Sequence, residues 1–323
     1  MSADKTSHSS ARPASKVAIW TAMIAIYIVW GSTYLAIRFA VTTIPPFYMA
    51  SARFLLAGGI LFLFRRLAGD PLPKLKEWRS AGIIGIFLLL GGNGGLVWAE
   101  QRIPSSLAAL LVGTVPLWMV MIDALKPGGK WPRWQIMAGV TIGFLGIALL
   151  FWPGQTVGGS QLDLIGAAVV LIGSVAWAIG SLYTRTASLP SSPLLGTSME
   201  MLVGGISLFV VGTLAGEAGQ VNLQIISTKS LLGMGYLIVF GSLVGFAAYT
   251  WVLRAAPTSL VSTYAYVNPL VAIVLGYVFA NETFNIRTIL AAVIILGSVL
   301  LTTRTPKTIS PSPSLISFSS GDD

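Results

Sequence analysis

Apolar and polar positions alternate along this chain in blocks rather than residue by residue. Ten apolar runs, at 17–40, 47–64, 81–99, 105–125, 134–152, 164–184, 194–214, 231–253, 259–279 and 284–303, are separated by short polar connections, several of them turns such as Pro45-Pro46 and Pro127-Gly128-Gly129. A helix needs about 20 mostly apolar residues to cross a bilayer core. The pattern predicts an all-α integral membrane protein with ten transmembrane helices, surrounded by lipid and without a soluble domain. The first run follows Lys16, as a signal peptide would, but it is too long and continues past Trp30 into Gly31-Ser32-Thr33 without a cleavage site. It is expected to be a retained helix. Residues 1–16 and 304–323 are polar, rich in Ser and Pro, and expected to be disordered tails.

The runs repeat. Trp30, Arg38, Pro46, Gly58 and Phe62 return 147 positions later as Trp177, Arg185, Pro193, Gly205 and Phe209. At an offset of 153, Trp98, Pro104, Ser106, Leu107, Pro116 and Leu117 return as Trp251, Pro257, Ser259, Leu260, Pro269 and Leu270. The chain is expected to hold two copies of one five-helix unit, 17–152 and 153–303. Five is odd, so the second copy enters the membrane from the opposite side and the copies form inverted repeats. Two inverted half-structures that exchange conformations expose one central site to each side in turn, which is alternating access.

Composition narrows the class. Charged residues make up 10% of the chain and hydrophobic ones 54%, with mean hydropathy +0.80, against about 25% charge in a soluble domain. There is no cysteine, and the single histidine, His8, lies in the polar tail. Disulfide scaffolding and thiolate metal sites are excluded, and no cofactor is expected. A net charge of +9 does not point to nucleic acid, because the basic residues sit between apolar runs and not on one face. Fifteen of the twenty Lys and Arg fall on the side that also holds both termini, four on the other, and Arg53 within a run. The positive-inside rule then predicts cytoplasmic N- and C-termini, in a multi-pass protein of the cytoplasmic (inner or plasma) membrane.

Polar residues within the runs are the candidate site. Trp30 and Trp177 lie mid-span at matched positions, where an indole N–H needs a partner, so they line a partly polar cavity or pack between helices. Ser32, Thr33 and Tyr34 either back-bond to the helix or face substrate. Asn93, within Gly91-Gly92-Asn93-Gly94-Gly95, is a cavity contact or an interhelical hydrogen bond, and its glycines permit close helix approach or a loosened backbone. Asn268-Pro269 is expected to break the ninth helix and Pro116 to kink the fourth. Asn268, with Tyr264 nearby, reads as a substrate contact; Tyr249, near the exit of the eighth helix, reads as substrate-binding or gating, or as part of an interfacial aromatic belt. Arg53 and Glu200 occupy matched positions inside the second and seventh runs, where a charge needs a partner or a water path. The expected partners are Glu100 for Arg53, and Arg185 or Arg254 for Glu200. These pairs act as alternating gates or as static packing contacts.

The segment Trp30-Gly31-Ser32-Thr33-Tyr34-Leu35-Ala36-Ile37-Arg38, with Pro45-Pro46 and Ala52-Arg53-Phe54, resembles the first repeat of EamA-type transporters in the drug/metabolite transporter superfamily. Ala108 through Pro116-Leu117-Trp118, Tyr266-Val267-Asn268-Pro269-Leu270 and Asn281-Glu282-Thr283 extend the resemblance over about 17–303. It implies ten helices with both termini inside. The first, third, fourth, sixth, eighth and ninth would enclose a cavity, and the fifth and tenth would support the periphery. It also implies export of amino acids, other metabolites or drugs. One departure is visible: Pro127-Gly128-Gly129-Lys130-Trp131 stands where the second copy has Asn281-Glu282-Thr283.

These readings converge on a secondary exporter of small amphipathic solutes, with an uncoupled facilitator or exchanger as the alternative. Protons are a candidate coupling ion. A membrane enzyme would need a nucleophile and base or metal ligands at one depth, and no such set is present. A channel predicts a continuous pore in place of inverted units. Gly139, Gly143 and Gly146 form a small-residue stripe that serves either a weak homodimer or packing within a monomer.

Overall fold

A computed structural model describes residues 15–129, 131–152, 156–157, 160–161, 163–256, 258–261 and 263–303. Most of both expected tails lies outside the described residues. The apolar runs form α1 (Lys16–Ala40), α2 (Pro46–Leu67), α3 (Leu75–Ala99), α4 (Ser105–Leu125), α5 (Trp134–Leu150), α6 (Leu164–Thr184), α7 (Pro193–Leu214), α8 (Thr228–Leu253), α9 (Tyr264–Ala280) and α10 (Ile286–Thr303). Seven of these are long and apolar enough to cross a membrane, and α5, α9 and α10 are shorter apolar helices. Exposed Ile24, Ile28, Leu56, Ile60 and Leu63 belong to an apolar exterior of the kind a bilayer covers. An antiparallel hairpin of β1 (Thr156–Val157) and β2 (Ser160–Gln161), not expected from the sequence, lies between α5 and α6.

Local chemistry sets the helix starts. Pro46 and Pro193, a matched pair, each open a helix at the position where a missing N–H costs nothing. Asp163 caps α6 by accepting from the Gly166 amide at 2.7 Å and from Arg102 at 3.3 Å. These contacts, the amide first, hold its carboxyl below the usual carboxylate range. The polar start of α3 is closed by Glu77, which accepts from the Lys74 amide and lengthens the helix beyond the predicted 81–99.

Both proline expectations meet a local correction. α4 is divided into Ser105–Val112 and Val115–Leu125 by the Gly113-Thr114 turn, so Pro116 sits in the opening turn of a new helical segment. Pro269 does not break α9, which runs unbroken through it. The discontinuity lies upstream, between a helical turn at Thr258–Val261 and Tyr264. Proline leaves the carbonyl four residues back without its helical donor. That carbonyl, Ala265, lies 3.2 Å from where a Cβ on Gly113 would stand, so α4 packs without a side chain over the notch.

The third and eighth helices each contain a π-helical stretch, Ile86–Gly94 in α3 and Leu237–Val244 in α8. The two overlap under the 153-residue offset. For α3 the loosened backbone anticipated from the glycine run is realised; α8 gave no comparable signal.

Packing joins the two halves by matched pairs: α2 with α7, α5 with α10, α1 with α8 and α9, and α6 with α3 and α4. Small residues make the approach possible. A Cβ on Gly58 would stand 2.8 Å from Met201 Cβ and 3.0 Å from the Ser198 carbonyl, and one on Gly205 would meet Leu55 at 2.9 Å. Gly143 and Gly146 lie against Ser298 and Ile295 of α10, so these members of the α5 stripe are covered within the chain.

Gly58→Ala should lower the thermal midpoint in detergent by an overpacking cost of about 1–3 kcal/mol. Gly59→Ala, with nothing within 4 Å of its Cβ, should leave it unchanged or slightly raised. Differential scanning fluorimetry on the intrinsic tryptophans compares the two, and equal midpoints would show that the α2–α7 contact is not close-packed.

Candidate functional site

A cavity of about 350 Å³ lies between the halves, lined from α1, α3, α4, α6, α8 and α9, with Arg53 added from α2. Neither α5 nor α10 contributes, the arrangement that the family resemblance implied. The lining reaches Ser181 and Arg185 at the end of α6, Leu253 in the last turn of α8, and Val261 just before α9. It stops at Ile37 and Leu96 short of the opposite end. The cavity is therefore continued toward the Arg185 end and closed at the end that carries Arg38, Glu100 and Glu282.

One wall is aromatic. Trp30 packs on Tyr249, Phe246 and Tyr264 with ring centroids 5.0, 5.4 and 5.4 Å away, and Tyr249 meets Tyr264 edge-on at 5.7 Å. Offset and edge-on rings of this kind contribute about 0.5–1.5 kcal/mol per pair beyond burial. The Trp30 indole donates to the Gly241 carbonyl at 3.2 Å, within the π-helical stretch of α8. A Cβ on Gly245 would overlap that ring. Across the cavity Trp177 repeats the arrangement: a Cβ on Gly92, the match of Gly245 at the 153 offset, would stand 2.7 Å from Trp177 Cε3. Each tryptophan thus uses a glycine face on a helix of the other half.

Polar groups in the wall are sparse. Arg53, 3% exposed, donates from Nε to Ser242 Oγ at 2.9 Å, lies 4.7 Å from the Phe54 ring, and has no partner for Nη1 among the described residues. Asn93 Oδ1 and Asn268 Oδ1 are likewise buried without a hydrogen-bond partner among the described residues. An unmet buried donor or acceptor costs about 1–3 kcal/mol, and this cavity wall carries three of them.

Of the sequence-predicted residues, the cavity brings together Trp30, Tyr34, Arg53, Asn93, Trp177, Arg185, Tyr249, Tyr264, Asn268, Pro116 and Pro269. Ser32 is not among the lining residues: its hydroxyl bonds back to the Ile28 carbonyl at 2.7 Å and meets the Tyr236 hydroxyl at 2.6 Å. Thr33 does line the cavity, although its hydroxyl donates to the Trp30 carbonyl.

The expected ion pairs need correction for this conformation. No salt bridge joins Arg53 to Glu100 or Glu200 to Arg185 among the described residues, and the Arg254 side chain lies outside them. Arg53 is taken by Ser242, while Glu100 has no hydrogen-bond partner for either oxygen among the described residues.

The charged contact at the closed end is a different one. Glu282 Oε1 accepts from the Ser105 amide and hydroxyl, both at 2.8 Å, and Oε2 from the Ser106 amide at 3.1 Å and hydroxyl. Arg38 lies 3.8 Å from Glu282 and donates to the Ile103 carbonyl at 3.3 Å. Glu217 does the equivalent for α2, accepting from the Phe47 and Tyr48 amides at 3.0 and 2.8 Å. Two carboxylates of the second half therefore cap helix N-termini of the first, which favours both partners. Sequence reasoning missed this role for Arg38 and Glu217. For Glu282 the Asn281-Glu282-Thr283 turn was the available signal.

The sequence profile of the EamA-like transporter family matches the chain twice, at residues 17–152 and 164–304. A protein of Escherichia coli (strain K12) described as the uncharacterized inner membrane transporter YedA is 39% identical over 286 residues, covering 88% of this chain and 90% of its own. The WAT1-related protein At3g02690, chloroplastic, of Arabidopsis thaliana is 26% identical, covering 87% of this chain and 68% of its own. A solved crystal structure superposes with a TM-score of 0.59 at 19% identity, over 90% of this chain and 98% of that one, a likeness of fold. This multi-pass membrane protein belongs to the EamA-like transporter family.

Proposed function

We propose that the chain is a secondary transporter that exports small amphipathic solutes from the cytoplasm by alternating access. In this reading ten helices cross the cytoplasmic membrane as two inverted halves, 17–152 and 153–303, with both termini inside. The charge bias puts the Arg185 end in the cytoplasm, so the cavity described above faces inward.

The observation that carries the reading is the cavity wall. An aromatic lining from both halves surrounds three buried polar atoms without partners among the described residues: Arg53 Nη1, Asn93 Oδ1 and Asn268 Oδ1. A guanidinium offers paired donors to a carboxylate, and the amide oxygens accept N–H groups. Solutes with a carboxylate, an amine and an apolar body, such as amino acids, match that set. At about 350 Å³ the cavity suits a small molecule. A phosphorylated substrate would need several buried cations, whereas Arg53 is the one buried cation among the residues that line the cavity.

Uptake into proteoliposomes of amino acids, nucleosides and lipophilic cations, with and without a pH gradient, tests the assignment. Amino-acid-like solutes are expected to move, and a panel in which nothing moves would sink the proposal.

Arg53→Gln should weaken binding of carboxylate-bearing solutes by the value of a hydrogen bond to a charged group, about 1.5–3 kcal/mol, or roughly ten- to a hundredfold. Solutes lacking a carboxylate should be much less affected. Competition binding on the purified variant decides this, and equal losses for both kinds of solute would show that Arg53 does not read the carboxylate.

A further inference from the structure

The closed end holds a second feature that the substrate cavity does not use. Glu100 follows α3 directly, is 2% exposed, and lies apart from the cavity lining. Neither of its oxygens completes a well-formed hydrogen bond among the described residues, the Arg38 backbone N–H being the donor that faces it. An ionised carboxylate in such a place costs several kcal/mol, and burial outweighs what its neighbours offer, so such groups neutralise instead.

The charges around it point the same way. Arg38 of α1 is the cation that faces Glu100, together with the phenol of Tyr34 from the same helix and the carboxylate of Glu282 from the turn after α9. Arg38 is already engaged, 3.8 Å from Glu282 and bonded to the Ile103 carbonyl. Glu282 is an acceptor for four N–H and O–H groups of Ser105 and Ser106, so its oxygens are already engaged there. Arg102, on the same connection as Glu100, is turned to Asp163 at 3.3 Å and to the Trp98 ring at 4.4 Å. On α2, Arg53 is bonded to Ser242, and Glu217 is spent on the Phe47 and Tyr48 amides. One committed arginine faces two carboxylates, and Glu282 adds to the cost of a charge on Glu100.

We propose that Glu100 is a proton-binding site that latches the Glu282 end. The protonated carboxyl is the form that fits the closed end, and release of the proton to water accompanies opening. The closed form binds one more proton than the open form. Low pH therefore holds this end shut, and the hold weakens as pH rises. The proposal rests on the alternating-access reading only in taking this end to open.

Two measurements on the full-length protein test it. In lipid nanodiscs, the infrared difference spectrum between acid and alkaline pH should contain the C=O stretch of a protonated carboxylic acid, absent from Glu100→Gln. In proteoliposomes the absence of native cysteine lets a single Ile103→Cys, 2% exposed at the closed end, report opening to an impermeant maleimide added at that face. Normalised to the exposed Gln220→Cys, its labelling should rise several-fold with pH. It should become slow and independent of pH with Glu100→Gln, and stay pH-dependent with Glu100→Asp. A carboxyl band that persists in Glu100→Gln, or a labelling profile unchanged by that substitution, overturns the proposal. Absence of solute uptake with the band and labelling as expected would count against the transport reading and leave the proton site standing.

Discussion

Two tryptophans against two glycines set the separation of the halves. Trp30 lies on Gly245 and Trp177 on Gly92, each across the boundary between repeats, and a Cβ at either glycine would collide with the indole. In lipid no hydrophobic force drives helices together, so association depends on how closely surfaces fit. A large flat ring on a bare backbone is a close fit, and it brings the most polarisable side chains of each half to the middle of the molecule. Both glycines adjoin or lie within π-helical stretches, whose widened turns are frequent at functional sites. In α8 that geometry presents the Gly241 carbonyl to the Trp30 N–H and the Ser242 hydroxyl to Arg53. The wall of the cavity and the seam between the halves are therefore built from the same contacts.

Electrostatics then distinguishes the two ends. In an apolar surround each carboxylate needs donors, and a helix N-terminus supplies unspent amides. Glu282 and Glu217 take theirs from α4 and α2, tying second-half loops to first-half helices at one face. Gly276 lets Glu282 fold back, since a Cβ there would stand 2.5 Å from the Glu282 carboxylate. The glycine in α9 and the glutamate beyond it thus work as one closure. At the opposite end the lining residues reach the helix termini, and Arg185 is exposed.

Much of this was legible in the sequence because it follows from composition and spacing. Apolar run length gave the helices to within a few residues in most cases, and the repeat offsets identified Trp30 with Trp177 and Gly58 with Gly205 as equivalents. What could not be read depends on shape. A π-helical stretch has no residue periodicity of its own, so Leu237–Val244 left no mark, while the glycine run around Asn93 left an ambiguous one. Pro269 was expected to break α9, but it stands early in that helix, and Gly113 of the neighbouring helix leaves room for the proline ring, which lies 3.1 Å from where its Cβ would stand. Arg53 and Glu100 were paired on depth alone, whereas Ser242 and the crowding around Arg38 decide where each group's partners lie.

The departure between the repeats now has a physical content. Where the second copy has Asn281-Glu282-Thr283, the first has Pro127-Gly128-Gly129, and there a Cβ on Gly129 would stand 2.5 to 2.8 Å from the carbonyls of Asp123, Ala124 and Lys126. That turn closes on its own backbone and offers no carboxylate to α9, while Asp123 is spent on Lys126 at 2.6 Å. One end of the molecule is thus fastened by a charged clamp and the opposite end has no counterpart from this turn. In the alternating-access reading proposed above, inverted repeats of identical sequence would give the two facing states equal energy. A clamp in one copy alone would remove that equality and favour the state in which the Glu282 end is shut, so any ligand that reverses the preference would have to bind the other state more tightly by more than the clamp is worth.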